Sequence, residues 1–378
     1  MVLWSLYVAL GSATHLPGKI SPSVAQWQSM NPGGGGAIQD IVPDPNRPGR
    51  IWEVSDMEGI NISPDMGRTW RFVDGPVTGE MLAVAVEPVS AADAALVKPR
   101  VYASGIYAVQ KSENDGRSWD VVPGTLNNTL GLIKIFPLNT SVVFFCPGWN
   151  DKQSLGGPVG IVTAGYRSLL YTLDGGASTR ESIYEDVPGY RQVYSLEFDL
   201  AKSSVSTAVM YVGAHSGVYR GVLNISEGSL VWWKLSGPDG IVPGLHDNNT
   251  RVGGCRGAAV SHDGQWLYAS WVVASMPQVA ESFGDNGIDR HEATPGCTNA
   301  KLSAIFVLRV STPSSEWKEV SVGLNSAPCA VWSVPKLSPW NQSARHQLVV
   351  GTFKGARVGL WLGNFHSSGD QLTGSFSL

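Results

Sequence analysis

Asp56 and Glu58 stand two residues apart in Asp56-Met57-Glu58-Gly59, a tetrapeptide with turn composition that would put both carboxylates on one loop. Trp149, Asn150, Asp151 and Lys152 form a second polar and aromatic run, and Tyr190 with Arg191 a third. Arg251 and Arg256 flank Gly253-Gly254-Cys255, while Asp285, Asp289, Arg290, His291 and Glu292 gather in one segment. His215 stands alone, and the glycines from Gly33 to Gly36, Gly35 among them, offer bare backbone that a ligand can approach closely. Singly, each of these residues also fits a solvated loop. Together, mixed carboxylates, guanidiniums and rings around one cavity suit a sugar. Glycosidic hydrolysis needs two carboxyl groups, about 5 Å apart for retention and roughly 6.5–9.5 Å for inversion. Asp56 could pair with Glu58, Asp151, Asp285 or Asp289.

Other chemistries lack their signatures. The chain has no Gly-x-Ser-x-Gly elbow, phosphate-binding loop, dinucleotide fingerprint or His-Glu-x-x-His. Cys146, Cys255, Cys297 and Cys329 show no Cys-x-x-Cys spacing, so no metal site is expected, and no cofactor either. A net charge of −4 without any Lys/Arg run argues against nucleic acid or an anionic membrane surface as partner.

The elements that must position these groups announce themselves in a repeated turn. Ser63, Asp65, Gly67, Thr69 and Trp70 set the pattern, and Ser112, Asn114, Gly116, Ser118 and Trp119 repeat it. The Asp or Asn side chain can accept bonds from the N–H groups of its own turn. The Gly supplies positive φ, the hydroxyl residue ties the exit, and the Trp anchors the next strand. A third copy around Asp174 keeps Thr172, Gly176 and Ser178 but has Thr179 in the Trp position. These turns resemble the Asp-box, or sialidase-type repeat, of β-propellers, which implies that Asp65, Asn114 and Asp174 are structural.

Around the turns a larger period emerges. Four short apolar strands recur about every 50 residues, the second opening with Arg50-Ile51 or Arg100-Val101, which is the arithmetic of propeller blades. The reading is an all-β chain, a single β-propeller over residues 23–378 with six four-stranded antiparallel blades. Seven remain open if the segment from Ser275 to Ala300 conceals one. The sixth unit has no convincing outer strand of its own. Ala25 to Met30, with Trp27 at its middle, is read as that strand, closing the ring and hiding both edges. With 43% hydrophobic residues, 44 Gly and 14 Trp, the composition can fill such a core.

In this topology the ligand face is built by the turns between second and third strands and by the connections between blades. Asp56, Glu58, Gly35, Trp149, Asp151, Tyr190, Arg191, His215, Arg256, Asp285 and Asp289 all fall there. Residues from Asn31 to Ser63 resemble the opening blade of two-propeller xyloglucan-cleaving glycosidases, with a Gly-rich start and an Asp-x-x-Gly turn before an apolar strand. That resemblance implies that Asp56 is the catalytic carboxylate and Glu58 its neighbour. Glu58 replaces a glycine of the pattern, and the partner carboxylate of those enzymes comes from a second propeller. Sialidases share the turns, but their Phe-Arg-Ile-Pro string is missing here, as is the Cys-rich module of sortilin-type receptors. The reading is a carbohydrate-binding propeller acting as a glycoside hydrolase through Asp56. The alternative is a non-catalytic propeller that binds glycan or another protein.

Export is also expected. Val2 to Leu10 is apolar and Gly11-Ser12-Ala13 offers a small-residue cleavage site, although no basic residue precedes it; residues 1–13 are read as a signal peptide. Asn61, Asn127, Asn139, Asn224, Asn248 and Asn341 head N-x-S/T sequons, and no run is long enough to span a membrane. In a secreted chain Cys255 and Cys297 would form a disulfide pinning the long fifth-unit loop, with buried thiols as the competing state.

Overall fold

The computed structural model describes residues 38–57, 59–73, 80–90, 98–128, 130–147, 169–182, 193–214, 217–238, 255–272, 303–311, 315–321, 324, 336–337, 345–352, 359–368 and 371–377. Their secondary structure is strand and turn, without an α-helix among them. Alternating apolar runs broken by Gly, Asn and Asp turns give strands of two to ten residues, each paired to its neighbour in sequence.

The first blade is β1 (Ile38–Pro43), β2 (Ile51–Ser55), β3 (Gly59–Ser63) and β4 (Arg71–Val73). The second is β5 (Met81–Val86), β6 (Val101–Gly105), β7 (Val109–Ser112) and β8 (Asp120–Val121). The third is β9 (Leu132–Ile135), β10 (Val143–Cys146), β11 (Leu169–Thr172) and β12 (Arg180–Ser182). The fourth is β13 (Val193–Phe198), β14 (Thr207–Ala214), β15 (Gly217–Asn224) and β16 (Ser229–Lys234). The fifth is β17 (Cys255–Val260), β18 (Trp266–Val272), β19 (Ser303–Arg309) and β20 (Lys318–Glu319). The sixth is β21 (Lys336–Leu337), β22 (Arg345–Thr352), β23 (Gly359–Ser368) and β24 (Gln371–Ser377). All six sheets are antiparallel meanders in chain order, the blades of a β-propeller.

One expectation is corrected here. The outer place of the sixth sheet is taken by β24, paired to β23 from Leu362–Ser377 to Ser368–Gln371. The Trp27 segment expected in that place lies outside the described residues, as does the Ser275–Ala300 stretch. Gln371–Ser377 does not read as a strand because Gly374 interrupts its apolar alternation. The interruption has a cause, since a Cβ on Gly374 would come within 2.2 Å of the Asn364 carbonyl oxygen. Phe376 supplies the burial instead, edge-on to Phe365 with ring centroids 5.4 Å apart.

The chain divides into two compact units, residues 1–146 with 170–180, and residues 147–169 with 181–378. Within the first, Trp52, Val54, Ile60 and Ile62 of the first blade meet Met81, Val84, Val86 and Val101 of the second in one core. Tyr102, Val109 and Val122 meet Ile133, Val143 and Phe145 in the next. In the second unit, Tyr211 and Val218 pack with Trp271, Ala258 and Leu267. Tyr268 and Ile305 pack with Leu348, Val350 and Phe365. Both faces of most strands are therefore covered, which is why β2, β3 and β6 are buried at every position.

The repeated turns close as their composition demands. Ser63 Oγ accepts from Gly67 N at 2.7 Å, and Asp65 accepts from Thr69 N at 2.8 Å and Thr69 Oγ1 at 2.7 Å. Met66 and Gly67 hold φ of 61° and 84°. Asn114 takes the same place, accepting from Ser118 N at 2.9 Å and donating to Ser118 Oγ at 2.6 Å. In the third copy Asp174 accepts from Ala177 N and Ser178 N, both at 2.9 Å, and from Ser178 Oγ. Thr179 does a different job from Trp, donating its hydroxyl to the Pro123 carbonyl at 2.7 Å.

These bonds set a pH dependence. Partial desolvation raises the Asp174 carboxyl, but bonds from Ser178, Thr172 and Ala177 outweigh it and bring the group from the ordinary 3.8 to about 2. Asp65 is lowered chiefly by the Thr69 hydroxyl and amide. A depressed folded value means that the stabilisation is complete above the ordinary value and fades as pH falls through the folded one. Asp174→Ala should therefore melt below the unmutated protein at neutral pH, with the gap closing between about pH 4 and pH 2. Thermal melts across that range check this, and a gap that ignores pH would refute it. Asp65→Ala should behave alike without changing ligand affinity.

Candidate functional site

β2 ends at Ser55, and its pairing with Gly59 leaves Asp56, Met57 and Glu58 as the connection to β3. Gly59 adopts φ of +85°, a conformation that L side chains rarely take, so the turn requires a glycine there. Met57 N lies 3.4 Å from Ser55 Oγ, and the Met57 side chain is 70% exposed. Asp56 is half-buried at the mouth of this turn. Sequence reasoning thus placed Asp56 correctly at the end of the second strand. Glu58 lies outside the described residues.

A carboxylate overlooked in the sequence sits below. Glu53, in the middle of β2, is 1% exposed and accepts from Asn61 Nδ2 at 2.8 Å across the β2–β3 pair. That bond ties it to the β2–β3 pair. It also corrects the reading of Asn61 as a glycan acceptor, because the folded chain buries this amide and uses it on Glu53. Of the other sequon asparagines, Asn127 is exposed with φ of 62° and Asn139 is half-buried. Asn224 heads the β15–β16 hairpin, its Oδ1 accepting from Ser226 Oγ at 2.8 Å. Asn248 and Asn341 lie outside the described residues.

At the blade end that carries the second-to-third-strand turn, four of the inner strands, β1, β5, β13 and β17, share a feature no sequence signal gave. The register slips by one residue between Ile38 and Asp40, Met81 and Ala83, Val193 and Ser195, and Cys255 and Gly257. Each slip is a β-bulge, leaving Gln39, Leu82, Tyr194 and Arg256 as the extra residues. Gln39 is exposed and Leu82 and Tyr194 are half-buried, whereas Met81, Ala83, Val193 and Ser195 beside them are buried. In the first and fourth blades the residue after the bulge bonds to the next blade. Asp40 Oδ2 accepts from Val84 N at 3.4 Å, and Ser195 Oγ accepts from Ala258 N at 2.8 Å.

Of the other predicted ligand residues, Arg256 has its backbone in β17 at the bulge. Gly35, Trp149, Asp151, Tyr190, Arg191, His215, Asp285 and Asp289 lie outside the described residues. Cys255 is buried with Sγ 3.3 Å from the Gly257 carbonyl oxygen, and its expected partner Cys297 is not among the described residues. Among the described residues no group of His, Cys, Asp and Glu could hold a metal ion. Nor is any helix among them long and apolar enough to cross a membrane.

No family model matches the chain, and no curated protein matches it. Among solved structures, an ancestral GH74 enzyme is similar with a TM-score of 0.70 and 28% identity, over 93% of this chain and 39% of that one. The chain thus spans well under half of that enzyme. A GH74 xyloglucanase from Xanthomonas campestris aligns with a TM-score of 0.38 and 16% identity, over 93% of this chain and 55% of that one. The Pan2 WD40 domain of Neurospora crassa aligns with a TM-score of 0.46 and 11% identity, over 90% and 79%.

Proposed function

We propose that this chain binds polysaccharide at the blade ends bearing the second-to-third-strand turns, and that Asp56 serves there as a carboxylate of a xyloglucanase-type glycoside hydrolase. The observation that carries the reading is the likeness to the ancestral GH74 enzyme over 93% of the chain at 28% identity. The position of Asp56 at the end of β2 agrees with it, as does the resemblance of the opening blade to xyloglucan-cleaving enzymes. The stapled turns are then Asp-boxes in the sialidase sense, holding the rim opposite the ligand. The test is a panel of xyloglucan, mixed-linkage glucan, cellulose and mannan, scored in parallel for retention in affinity gels and for new reducing ends. Retention with new ends supports the hydrolase, and neither on any polymer rejects the proposal.

The second reading is a binder without turnover, and Glu53 favours it. Hydrolysis needs two carboxyl groups at the bond, yet this acid, nearest to Asp56 along β2, is sequestered by Asn61. Retention without reducing ends selects this reading; a protein partner would follow if no glycan is retained.

The chain is taken as secretory under either reading, and a Cys255–Cys297 disulfide belongs to it. Closing a loop of about 40 residues is worth roughly 3–4 kcal/mol in the chain-entropy model. Non-reducing peptide mapping of secreted protein should recover the two cysteines in one cross-linked peptide. Alkylation of both without reduction would remove the bridge and weaken the secretory reading.

A further inference from the structure

Phe72 leaves an aromatic face in solvent at the blade end that carries Asp56. It lies in β4, in register with Asn61 of β3, and is 57% exposed, while Val73 beside it is buried. Its ring has a definite place: Cε2 and Cζ lie 3.4 and 3.7 Å from the point that a Cβ on Gly59 would occupy. Gly59 closes the turn that begins with Asp56, and its φ of +85° favours glycine there. The ring of Phe72 therefore leans along the sheet toward that turn and rests on backbone that has no side chain of its own. Among the described residues no other aromatic ring packs against it.

Packing does not ask for a ring at this position. The stapled turns align Trp70-Arg71-Phe72-Val73 of the first blade with Trp119-Asp120-Val121-Val122 of the second and Thr179-Arg180-Glu181-Ser182 of the third. Val73, Val122 and Ser182 are all buried, whereas Phe72, Val121 and Glu181 are all exposed. The outward place thus takes valine or glutamate in the other two blades, and an aromatic in the blade that carries Asp56. Met57 adds a second open apolar side chain on the same turn, 70% exposed. Single exposed apolar residues are common on any surface. Two at one blade end, one of them a ring laid against the turn, are not accounted for by the core.

We propose that Phe72 is a stacking platform that holds one pyranose ring of the bound polysaccharide beside the Asp56 turn. The C–H face of a pyranose is apolar and packs on a flat aromatic surface, while its hydroxyl rim stays in water. The inference rests on the polysaccharide reading and adds a specificity-determining residue to it. It does not depend on turnover, so it holds for the hydrolase and for the binder alike.

Titration calorimetry with xyloglucan oligosaccharides and cello-oligosaccharides tests it, using unmutated protein, Phe72→Tyr, Phe72→Leu and Phe72→Val. Tyrosine keeps the flat face, leucine keeps an apolar cover over Gly59 without one, and valine is what the second blade carries at Val121. Phe72→Tyr should bind within about threefold of the unmutated protein. Phe72→Leu and Phe72→Val should each raise the dissociation constant about tenfold, the loss of one stacked ring. Melting curves establish which variants are folded, and either aliphatic variant suffices for the comparison. If neither folds, Phe72 belongs to the fold and the platform is rejected. Where the unmutated protein binds, a folded aliphatic variant that binds equally well overturns the stacking role alone, as does a tyrosine variant that loses as much as leucine. An unmutated protein that binds none of the sugars overturns the polysaccharide reading, and the role of Phe72 with it.

Discussion

Asp56→Asn is expected to lower reducing-end release from xyloglucan by about 10²–10⁴-fold while leaving polysaccharide retention unchanged. The amide keeps the size of the side chain and one acceptor oxygen, but it cannot ionise or exchange a proton with the glycosidic oxygen or with water. Because Asp56 stands at the mouth of the turn and not within the buried rows of β2 and β3, the exchange should barely disturb folding. Initial rates and affinity-gel mobility, measured on one preparation with matched melting curves, separate the possibilities. If rate and retention both persist, Asp56 only shapes the hairpin, and the carboxylate that acts must be sought elsewhere. If retention falls with the rate, Asp56 holds sugar and the rate alone is no evidence of proton transfer.

The largest loss of stability should come from Trp52→Ala, roughly 3–5 kcal/mol, as expected for emptying a fully buried aromatic site. Trp52 has no exposed surface and lies in the core shared by the first two blades. Its indole donates to Asp44 Oδ2 at 3.3 Å, and the Arg50 guanidinium lies over the ring at 4.7 Å. Arg50 in turn pairs with Asp115 of the second blade's turn at 2.7 Å. Removing the ring therefore opens a cavity, takes one donor from a buried carboxylate that keeps Arg50 at 3.6 Å, and removes the face over which that guanidinium lies. Gly116 gives an internal check, because a Cβ there would meet the ring at 3.2 Å and its φ is +81°. Gly116→Ala should cost less in the Trp52→Ala background than alone, since the backbone strain and the close approach to Val73 Cγ1 at 3.3 Å remain but the ring does not. Urea midpoints for the two single variants and the double measure this. Strict additivity would mean that the turn and the ring do not bear on one another.

Much of the architecture was readable because it is written in local chemistry. A stapled turn needs an acceptor, a glycine and a hydroxyl within seven residues, and the bonds of Ser63, Asp65 and Thr69 run between positions two and four apart. Strands such as Ile51–Ser55 and Val101–Gly105 were legible for the same reason, as apolar runs bounded by turn residues. Gly374 hid β24 by breaking the alternation that marks a strand. Asn61 matched a glycan sequon in three letters, while its burial against Glu53 depends on a pairing eight residues away.

The blade repeat, its turns and the place of Asp56 at the end of a second strand follow from the order of residues alone, because turn geometry and strand alternation act over a few positions. The bulges at Gln39, Leu82, Tyr194 and Arg256 do not. No residue type marks them, and each lies where an inner strand must both pair with its neighbour and fit the next blade, as Ser195 does with Ala258. That double demand arises only once blades pack together, and it leaves Tyr194 half-buried between two buried positions.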